Sequence, residues 1–248
     1  MKALKLGVHR VLRRLGLDVV RYPSSPAPPD ARSVEARRNW WLANCGITLL
    51  LDVGANVGQY ARSVRARGYS GRIVSFEPLS TAFSELQRNA ERDPAWEVFN
   101  IALGAEPATA MLNVSGYSES SSILPMCDRH VAAFPPSAYI GHEAVSVVPL
   151  DSLASHLVRS GDAVWLKLDV QGYEMQVLGG AERTLRDTRL IEMELSLVPL
   201  YEGQALICES IERLRGIGFQ LIAVEDAFVD DNSRHTLQVN GIFERMPA

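Results

Sequence analysis

Residues 49 to 60, LLLDVGANVGQY, constrain the fold of this chain more than any other stretch. A short apolar run ends in Asp52 and a turn that contains Gly54 and Gly58, and the chain then enters a segment with helical character. This order is typical of the first strand, turn and helix of an α/β sheet whose edge binds a nucleoside. The sequence therefore predicts a nucleoside site at the carboxyl end of this strand.

The glycine spacing of this turn argues against a dinucleotide. The turn reads Gly54-x-Asn56-x-Gly58 and lacks the third glycine that the G-x-G-x-x-G pattern needs for pyrophosphate and close helix packing. The carboxylate of Asp52 would repel a phosphate, but it suits a cofactor with an ammonium or sulfonium charge. Because S-adenosylmethionine carries both charges, the residues favour it over a diphosphate cofactor.

A second acid follows the next predicted strand. Residues 72 to 76, RIVSF, end at Glu77, and an acid at that position can accept hydrogen bonds from both hydroxyls of a ribose. In an open α/β sheet the ligand binds at the carboxyl ends of the strands. We therefore expect Asp52, Glu77 and the segment 100 to 103 to lie at one edge.

Seven short motifs follow one another along the chain: DVGANVGQY (52–60), FEP (76–78), NIALG (100–104), SSSIL (120–124), PLDSL (149–153), KLDVQGYEMQVLGGA (167–181) and NGIFER (240–245). In this order they resemble the FkbM-type S-adenosylmethionine-dependent methyltransferases, from about residue 47 to the C terminus. The resemblance implies a class I methyltransferase fold, which is a Rossmann-like, seven-stranded, mostly parallel sheet with helices on both faces and a C-terminal antiparallel hairpin. It also implies O-methylation of a sugar, polyketide or lipid-linked hydroxyl.

The strand ends and the resemblance together predict the residues that contact the cofactor. Ser122 is included because an SSxL element recurs at this place in the family. The predicted set is Asp52, Gly54, Asn56, Gly58, Glu77, Asn100, Ala102, Ser122 and Asp169.

Three residues are candidates for catalysis, because methyl transfer to a hydroxyl needs a positioned base. Asp169, after the fourth predicted strand, could be the base, a ligand of the cofactor amine, a metal ligand or a helix cap. Glu194 ends the fifth predicted strand and could contact the acceptor or form an ion pair. His130 could accept a hydroxyl proton near neutral pH. Lys167 is predicted to pair with a buried acid such as Glu194 or Glu174.

The sequence does not support a metal site. Where the family usually has an acid, this chain has Gln171, and an amide binds a cation weakly, so a Mg²⁺-assisted variant is not supported. No zinc-type His and Cys spacing, Walker motif or G-x-S-x-G nucleophile elbow occurs.

Residues 31 to 248 are predicted to form one methyltransferase domain, after an N-terminal helix and a proline-rich linker in residues 1 to 30. Predicted strands alternate with helices, which indicates right-handed crossovers and a parallel sheet. Residues 104 to 149 break this alternation, with only short strand-like pieces at 110 to 114 and 144 to 148. We expect an irregular insertion there that acts as a lid over the acceptor.

Composition limits the function classes. A chain of 248 residues with 47% hydrophobic content suits one well-buried α/β domain, and a net charge of −4 argues against a nucleic-acid binder. The three cysteines follow no metal or redox spacing and are interpreted as reduced thiols. Because neither a membrane-spanning run nor a signal peptide is evident, we expect a cytoplasmic protein.

Residues 1 to 22 are basic although the whole chain is acidic. Six Lys and Arg residues against Asp18 give this segment +5, so a total of −4 leaves −9 for the rest of the chain. Its apolar residues fall on one face at helical spacing. Two interpretations remain open: a peripheral helix on the inner face of the membrane, or a helix that packs on the domain or on a second subunit of a homodimer.

The leading hypothesis is an S-adenosylmethionine-dependent O-methyltransferase that acts on a hydroxyl of a glycolipid-type sugar or a polyketide-like acceptor. The alternatives are an NAD-dependent oxidoreductase, against which the glycine spacing argues, and a cofactor-binding module without turnover.

Overall fold

The computed structural model describes residues 34 to 247, of which residues 38 to 247 belong to one structural unit. The predicted basic helix and linker of residues 1 to 30 lie outside the described residues. The strands are β1 (Leu49–Val53), β2 (Arg72–Phe76), β3 (Trp96–Phe99), β4 (Ala102–Leu103), β5 (Ala108–Ser115), β6 (Tyr139–Val148), β7 (Val164–Leu168), β8 (Thr188–Ser196), β9 (Phe219–Val229) and β10 (Thr236–Arg245). The helices are α1 (Val34–Asn44), α2 (Gln59–Ala66), α3 (Ser80–Ala90), α4 (Asp128–Ala133), α5 (Leu150–Leu157), α6 (Glu174–Gly179), α7 (Thr184–Asp187) and α8 (Ile207–Gly216).

Seven strands form the main sheet, in the order β3-β2-β1-β7-β8-β10-β9. Strands β1, β2, β3, β7 and β8 are parallel, whereas β10 runs antiparallel to both β8 and β9. Every residue of β1 and β7 is buried, as expected for central parallel strands covered on both faces. The predicted mostly parallel sheet with a C-terminal antiparallel hairpin is confirmed.

The central strands divide their side chains between two faces. Leu49, Leu51 and Val53 of β1 join one hydrophobic core with residues of α5, α6, α7 and α8. The intervening residues of β1 and β7, including Asp52 and Lys167, point to the opposite face. The fold therefore buries charged groups directly beneath the carboxyl edge of the sheet.

A second, three-stranded sheet has the order β4-β6-β5. Strands β5 and β6 pair antiparallel and are longer than the strand-like pieces predicted at 110 to 114 and 144 to 148. The neighbouring strands β3 and β4 belong to different sheets: β3 ends at Phe99 in the main sheet, and β4 pairs with β6 in the second sheet. The insertion is thus built on a sheet, whose side chains pack around Leu112, Val145 and Val147.

Helix α6 ends at Gly179, and Gly180 separates it from the short helix α7. A Cβ atom on Gly180 would lie 2.0 Å from the carbonyl oxygen of Gly104 and 3.1 Å from Cα of Pro149. The glycine therefore allows the end of α6 to pack against the residues that follow β4 and precede α5.

Among residues 34 to 247, the helices are all too short or too polar to cross a lipid bilayer.

The close packing at Gly180 predicts that Gly180→Ala lowers the free energy of unfolding by about 1 to 3 kcal/mol, because a backbone carbonyl has to move. Gly216→Ala is the matched control, since Gly216 ends α8 and nothing lies within 4 Å of its added Cβ. Urea denaturation should show a neutral or slightly stabilising effect for the control. Equal stability of the two variants would contradict this packing argument.

Candidate active site

The loops after β1, β2 and β7 interlock at the carboxyl edge of the main sheet. The backbone N–H groups of Gly54 and Ala55 both donate to the carbonyl of Phe76 at 3.0 Å, and Asp169 N–H donates to the carbonyl of Val53 at 3.0 Å. Gly54 has a φ of +77°, and a Cβ there would lie 1.8 Å from the carbonyl oxygen of Asp169. Glycine is therefore required for the β1 and β7 loops to approach so closely.

A buried ammonium connects these loops. Lys167 Nζ lies 3.3 Å from Oδ1 of Asp52, 3.3 Å from Oδ2 of Asp169 and 3.3 Å from the carbonyl oxygen of Gly54. Burial alone would lower the pKa of Lys167, but Asp169 and Asp52 outweigh burial and raise it above its usual value. The ion pairs are therefore with Asp52 and Asp169, not with Glu194 or Glu174 as the sequence had suggested.

Asp52 is fully buried beneath this edge. Besides its ion pair with Lys167, its Oδ2 accepts a hydrogen bond from Ser75 Oγ at 3.3 Å. The residue pairs in register with Lys167 across β1 and β7. Asp52 thus supports the site from below and contacts neither of the clefts described next.

The first cleft, of about 630 Å³, opens above the β1 and β2 loops. Its acidic lining residues are Glu77, Glu119 and Asp169, and the described residues around it include no Lys, Arg or His. Its apolar lining includes Val53, Phe76, Ile101, Leu103, Leu112 and Ile123. An apolar cleft with carboxylates and without a cationic side chain suits a ligand that is partly apolar and positively charged.

Glu77 is held rigidly in this cleft. Its Oε2 accepts the backbone N–H of Asn56 at 2.7 Å, and its Oε1 accepts the backbone N–H of Leu79 at 2.8 Å. Burial raises the pKa of Glu77 to about 7, and the two backbone hydrogen bonds oppose that shift. Each carboxylate oxygen keeps a lone pair for a further donor, so Glu77 can accept two hydroxyl groups.

The structure brings most of the predicted cofactor residues to this cleft. Those that line it are Gly54, Asn56, Glu77, Ala102, Ser122 and Asp169.

Gly58 and Asn100 do not line the cleft. A Cβ on Gly58 would lie 2.7 Å from the ring of Trp96, so this glycine serves packing below α2. Asn100 Nδ2 donates to the carbonyls of Glu77 and Pro78, each at 2.9 Å. Asn100 therefore shapes the Glu77 turn from behind.

The second cleft, of about 690 Å³, adjoins the first and shares Glu119, Asp169 and Gln171 with it. All three candidate catalytic residues, Asp169, His130 and Glu194, line this cleft. Asp169 is thus the one candidate that reaches both clefts. Two neighbouring clefts with shared acidic residues are suited to a transfer between two bound molecules.

Gln171 organises the wall between the clefts. Its Nε2 donates to Asp169 Oδ1 and to Glu194 Oε2, both at 2.8 Å, and its Oε1 accepts the hydroxyl of Tyr201 at 2.7 Å. Ser122 Oγ donates to the Gln171 carbonyl at 2.7 Å and so holds its backbone. By donating to both, the amide holds the carboxylates of Asp169 and Glu194 within two hydrogen-bond lengths of each other. A carboxylate at position 171 would instead repel both of them.

Glu194 and His130 have different protonation properties in the second cleft. Burial, with the nearby charges of Asp169 and Glu174, raises the pKa of Glu194 well above its usual range. Burial lowers the pKa of His130 to about 4, and its ring packs edge-on to Tyr201 at 5.2 Å. His130 is therefore neutral and weakly basic at neutral pH, whereas Glu194 is a stronger base than an ordinary carboxylate.

Several lining residues of the second cleft were not predicted. Tyr117 directly precedes the serine-rich segment 118 to 122 and could have been found from that position, since it belongs to the same insertion. Phe228 and Gln238 lie in β9 and β10, and only the pairing of the C-terminal hairpin brings them to the cleft. Within residues 34 to 247, no group of three or more His, Cys, Asp or Glu side chains could hold a metal ion.

The position of Gln171 predicts that Gln171→Glu lowers the free energy of unfolding by about 2 to 4 kcal/mol at pH 8, because a buried carboxylate would face Asp169 and Glu194. The new carboxyl would have a raised pKa in the folded state. The loss of stability should therefore be largest at high pH and shrink as the pH falls towards 5.

Gln59→Glu is the matched control for this change. Gln59 Nε2 also donates to a carboxylate, Oε1 of Glu119 at 3.0 Å, but this pair is exposed to solvent. Urea denaturation should give a loss below about 1 kcal/mol for the control. If both variants lost the same stability at pH 8, the central role of Gln171 would be refuted.

Comparison with known proteins agrees with this geometry. Residues 52 to 221 match the model of the methyltransferase FkbM domain. The chain is 27% identical to the 2-O-methyltransferase NoeI of Sinorhizobium fredii, over 71% of this chain and 73% of that protein. It is 25% identical to Methyltransferase 1 of Beauveria bassiana, over 73% of this chain and 70% of that protein.

Among solved structures, a candidate methyltransferase from Thermobifida fusca superposes with a TM-score of 0.50 at 16% identity, covering 87% of this chain and 80% of that one. This likeness supports the fold. The matched domain is a methyltransferase domain, and neither alternative function receives support. The chain belongs to the FkbM methyltransferase family.

Proposed function

We propose that the protein transfers a methyl group from S-adenosylmethionine to a hydroxyl group of a sugar or polyketide-like acceptor. The observation that carries this proposal is the pair of adjoining clefts that share Asp169, Gln171 and Glu119. The first cleft would hold the cofactor and the second the acceptor. The assignment to oxygen draws on the similarity to NoeI, a 2-O-methyltransferase.

The chemistry of the first cleft fits this cofactor. Glu77 has free lone pairs for the two ribose hydroxyls, and Asp169 offers a carboxylate to the ammonium group. The apolar lining suits an adenine ring, and the absence of a cationic side chain among the described lining residues suits a sulfonium. The same absence disfavours the diphosphate of NAD, which agrees with the glycine spacing.

The residues of the second cleft can prepare a hydroxyl for attack. When bound, S-adenosylmethionine supplies the methyl group as an electrophile. The acceptor oxygen would form the new bond to the methyl carbon as the carbon–sulfur bond breaks and the electron pair of that bond stays on sulfur in the leaving S-adenosylhomocysteine. The hydroxyl proton would move to Glu194, whose pKa is raised well above its usual range. Asp169 stays ion-paired with Lys167 and is held away from this task. Two carboxylates in different environments thus take different roles.

Cofactor binding should depend on the ionisation of Glu77. The pKa of Glu77 is raised to about 7, and its ionised form is the better acceptor for ribose hydroxyls. We therefore expect the affinity for S-adenosylhomocysteine to increase from pH 6 to pH 8, as measured by calorimetry. Glu77→Gln should bind at least about tenfold more weakly and lose this pH dependence, because its amide does not ionise.

Titrations with S-adenosylmethionine, S-adenosylhomocysteine and NAD on the same protein complete this test. Binding of the first two without NAD supports the assigned cofactor. Binding of NAD alone, or unchanged affinity in Glu77→Gln, would overturn it.

Glu194→Gln should lower the rate of methyl transfer by about 100-fold or more, because an amide cannot accept the hydroxyl proton. Product can be detected as a methyl mass increase across a panel of methyl glycosides. The wild-type rate should increase with pH as Glu194 ionises. The affinity for S-adenosylhomocysteine should change little, since Glu194 does not line the first cleft. A fully active variant would exclude Glu194 as the base.

A further inference from the structure

The second cleft combines aromatic and amide side chains. Its aromatic residues are Tyr117, Phe134 and Phe228, and the rings of Tyr117 and Phe134 meet edge to face with centroids 5.2 Å apart. Gln171 and Gln238 supply amide groups on the same lining. A sugar ring has apolar C–H faces and polar hydroxyl edges, so aromatic walls with amide groups suit it.

The charges of this cleft are one-sided. Glu119, Asp169 and Glu194 line it, and its described residues include no Lys or Arg. Because the raised pKa of Glu194 favours its neutral form, Glu119 and Asp169 are the main carriers of negative charge. His130 is neutral near pH 7, because burial lowers its pKa to about 4. The ammonium of Lys167 lies behind Asp169, with 9% of its side chain exposed, and it is shared with the carboxylate of Asp52. It is therefore not free to pair with an acceptor.

We propose that the second cleft selects its acceptor by charge: it admits a sugar unit that is neutral or carries an amine, and it excludes one that carries a carboxylate, phosphate or sulfate group. This inference rests on the proposed function, because it assigns the acceptor to that cleft.

The physical reason is the cost of burying an unpaired anion. An anionic acceptor would lose hydration on entering the cleft and would meet carboxylates instead of a cationic partner. A neutral sugar loses only hydrogen bonds with water, and the carboxylates of the cleft can replace these by accepting hydrogen bonds from its hydroxyl groups. An amine would gain an additional favourable contact with these acids.

Three monosaccharide probes of different charge can test the selection. Methyl glucoside is neutral, methyl glucosaminide has an amine in place of one hydroxyl, and methyl glucuronide has a carboxylate in place of the CH2OH group. Their binding to the full chain, saturated with S-adenosylhomocysteine, can be measured by saturation-transfer NMR at pH 7.5. We expect the glucoside and the glucosaminide to bind, and the glucuronide to bind at least about tenfold more weakly than the glucoside.

Two matched variants locate the source of the discrimination. Glu119→Gln removes one carboxylate from the cleft and should reduce the difference between glucoside and glucuronide by about threefold or more. Glu202→Gln removes an exposed carboxylate that lines neither cleft and should leave the difference unchanged.

Calorimetry with S-adenosylhomocysteine on the same samples distinguishes a failure of the proposed function from a failure of the charge selection. Without cofactor binding, the proposed function itself fails. With cofactor binding, the charge selection is overturned if the glucuronide binds as tightly as the glucoside, if none of the three probes binds, or if Glu202→Gln acts like Glu119→Gln.

Discussion

The ammonium group of Lys167 is the interaction on which the site depends. It lies among Asp52 of β1, Asp169 after β7 and the carbonyl of Gly54, each at 3.3 Å. Without it, the fully buried carboxylate of Asp52 would have no cationic partner and would lie near the partly exposed carboxylate of Asp169, which is strongly unfavourable. The contacts of Lys167 therefore fix the backbone at Gly54, just after β1, and the orientation of the Asp169 side chain. Because Asp169 reaches both clefts, the relative position of the clefts depends on this buried charge.

Gln171 extends the same arrangement to the next strand. Its amide donates to Asp169 and to Glu194, which lies in β8. The chain thus places a neutral donor between two acids, and the acids can approach without direct repulsion. Gln171, which replaces the acid usual in the family and argues against a Mg²⁺-assisted reaction, therefore has a structural role in this site. Burial and the nearby charges of Asp169 and Glu174 raise the pKa of Glu194, and the hydrogen bond from Gln171 opposes this shift.

The sequence predicted the sheet well, because apolar runs and acidic strand ends are local signals. Glu77 follows β2 and lines the first cleft, as its place after an apolar run suggested. Asp52 also ends an apolar run, but its side chain points to the face where Lys167 is buried. The partner of a buried acid depends on which strands pair, and a linear sequence pattern does not show this. For that reason the prediction that Lys167 pairs with Glu194 or Glu174 is wrong, and its partners are Asp52 and Asp169.

The second cleft was the hardest part to predict. It collects residues from the insertion, from the β7 loop and from the C-terminal hairpin, which are distant in sequence. The insertion was expected to be irregular, yet its strands β5 and β6 pair over most of their length. Such pairing depends on long-range contacts with β4 and α3 that propensity alone cannot specify.

A crystal structure of the protein with S-adenosylhomocysteine would show whether the two clefts bind cofactor and acceptor as proposed. We expect the ribose hydroxyls to contact Glu77, the amino group to contact Asp169, and the sulfur to face the opening to the second cleft beside Gln171. A ligand bound elsewhere, or one whose sulfur faces away from Glu194, would contradict this assignment.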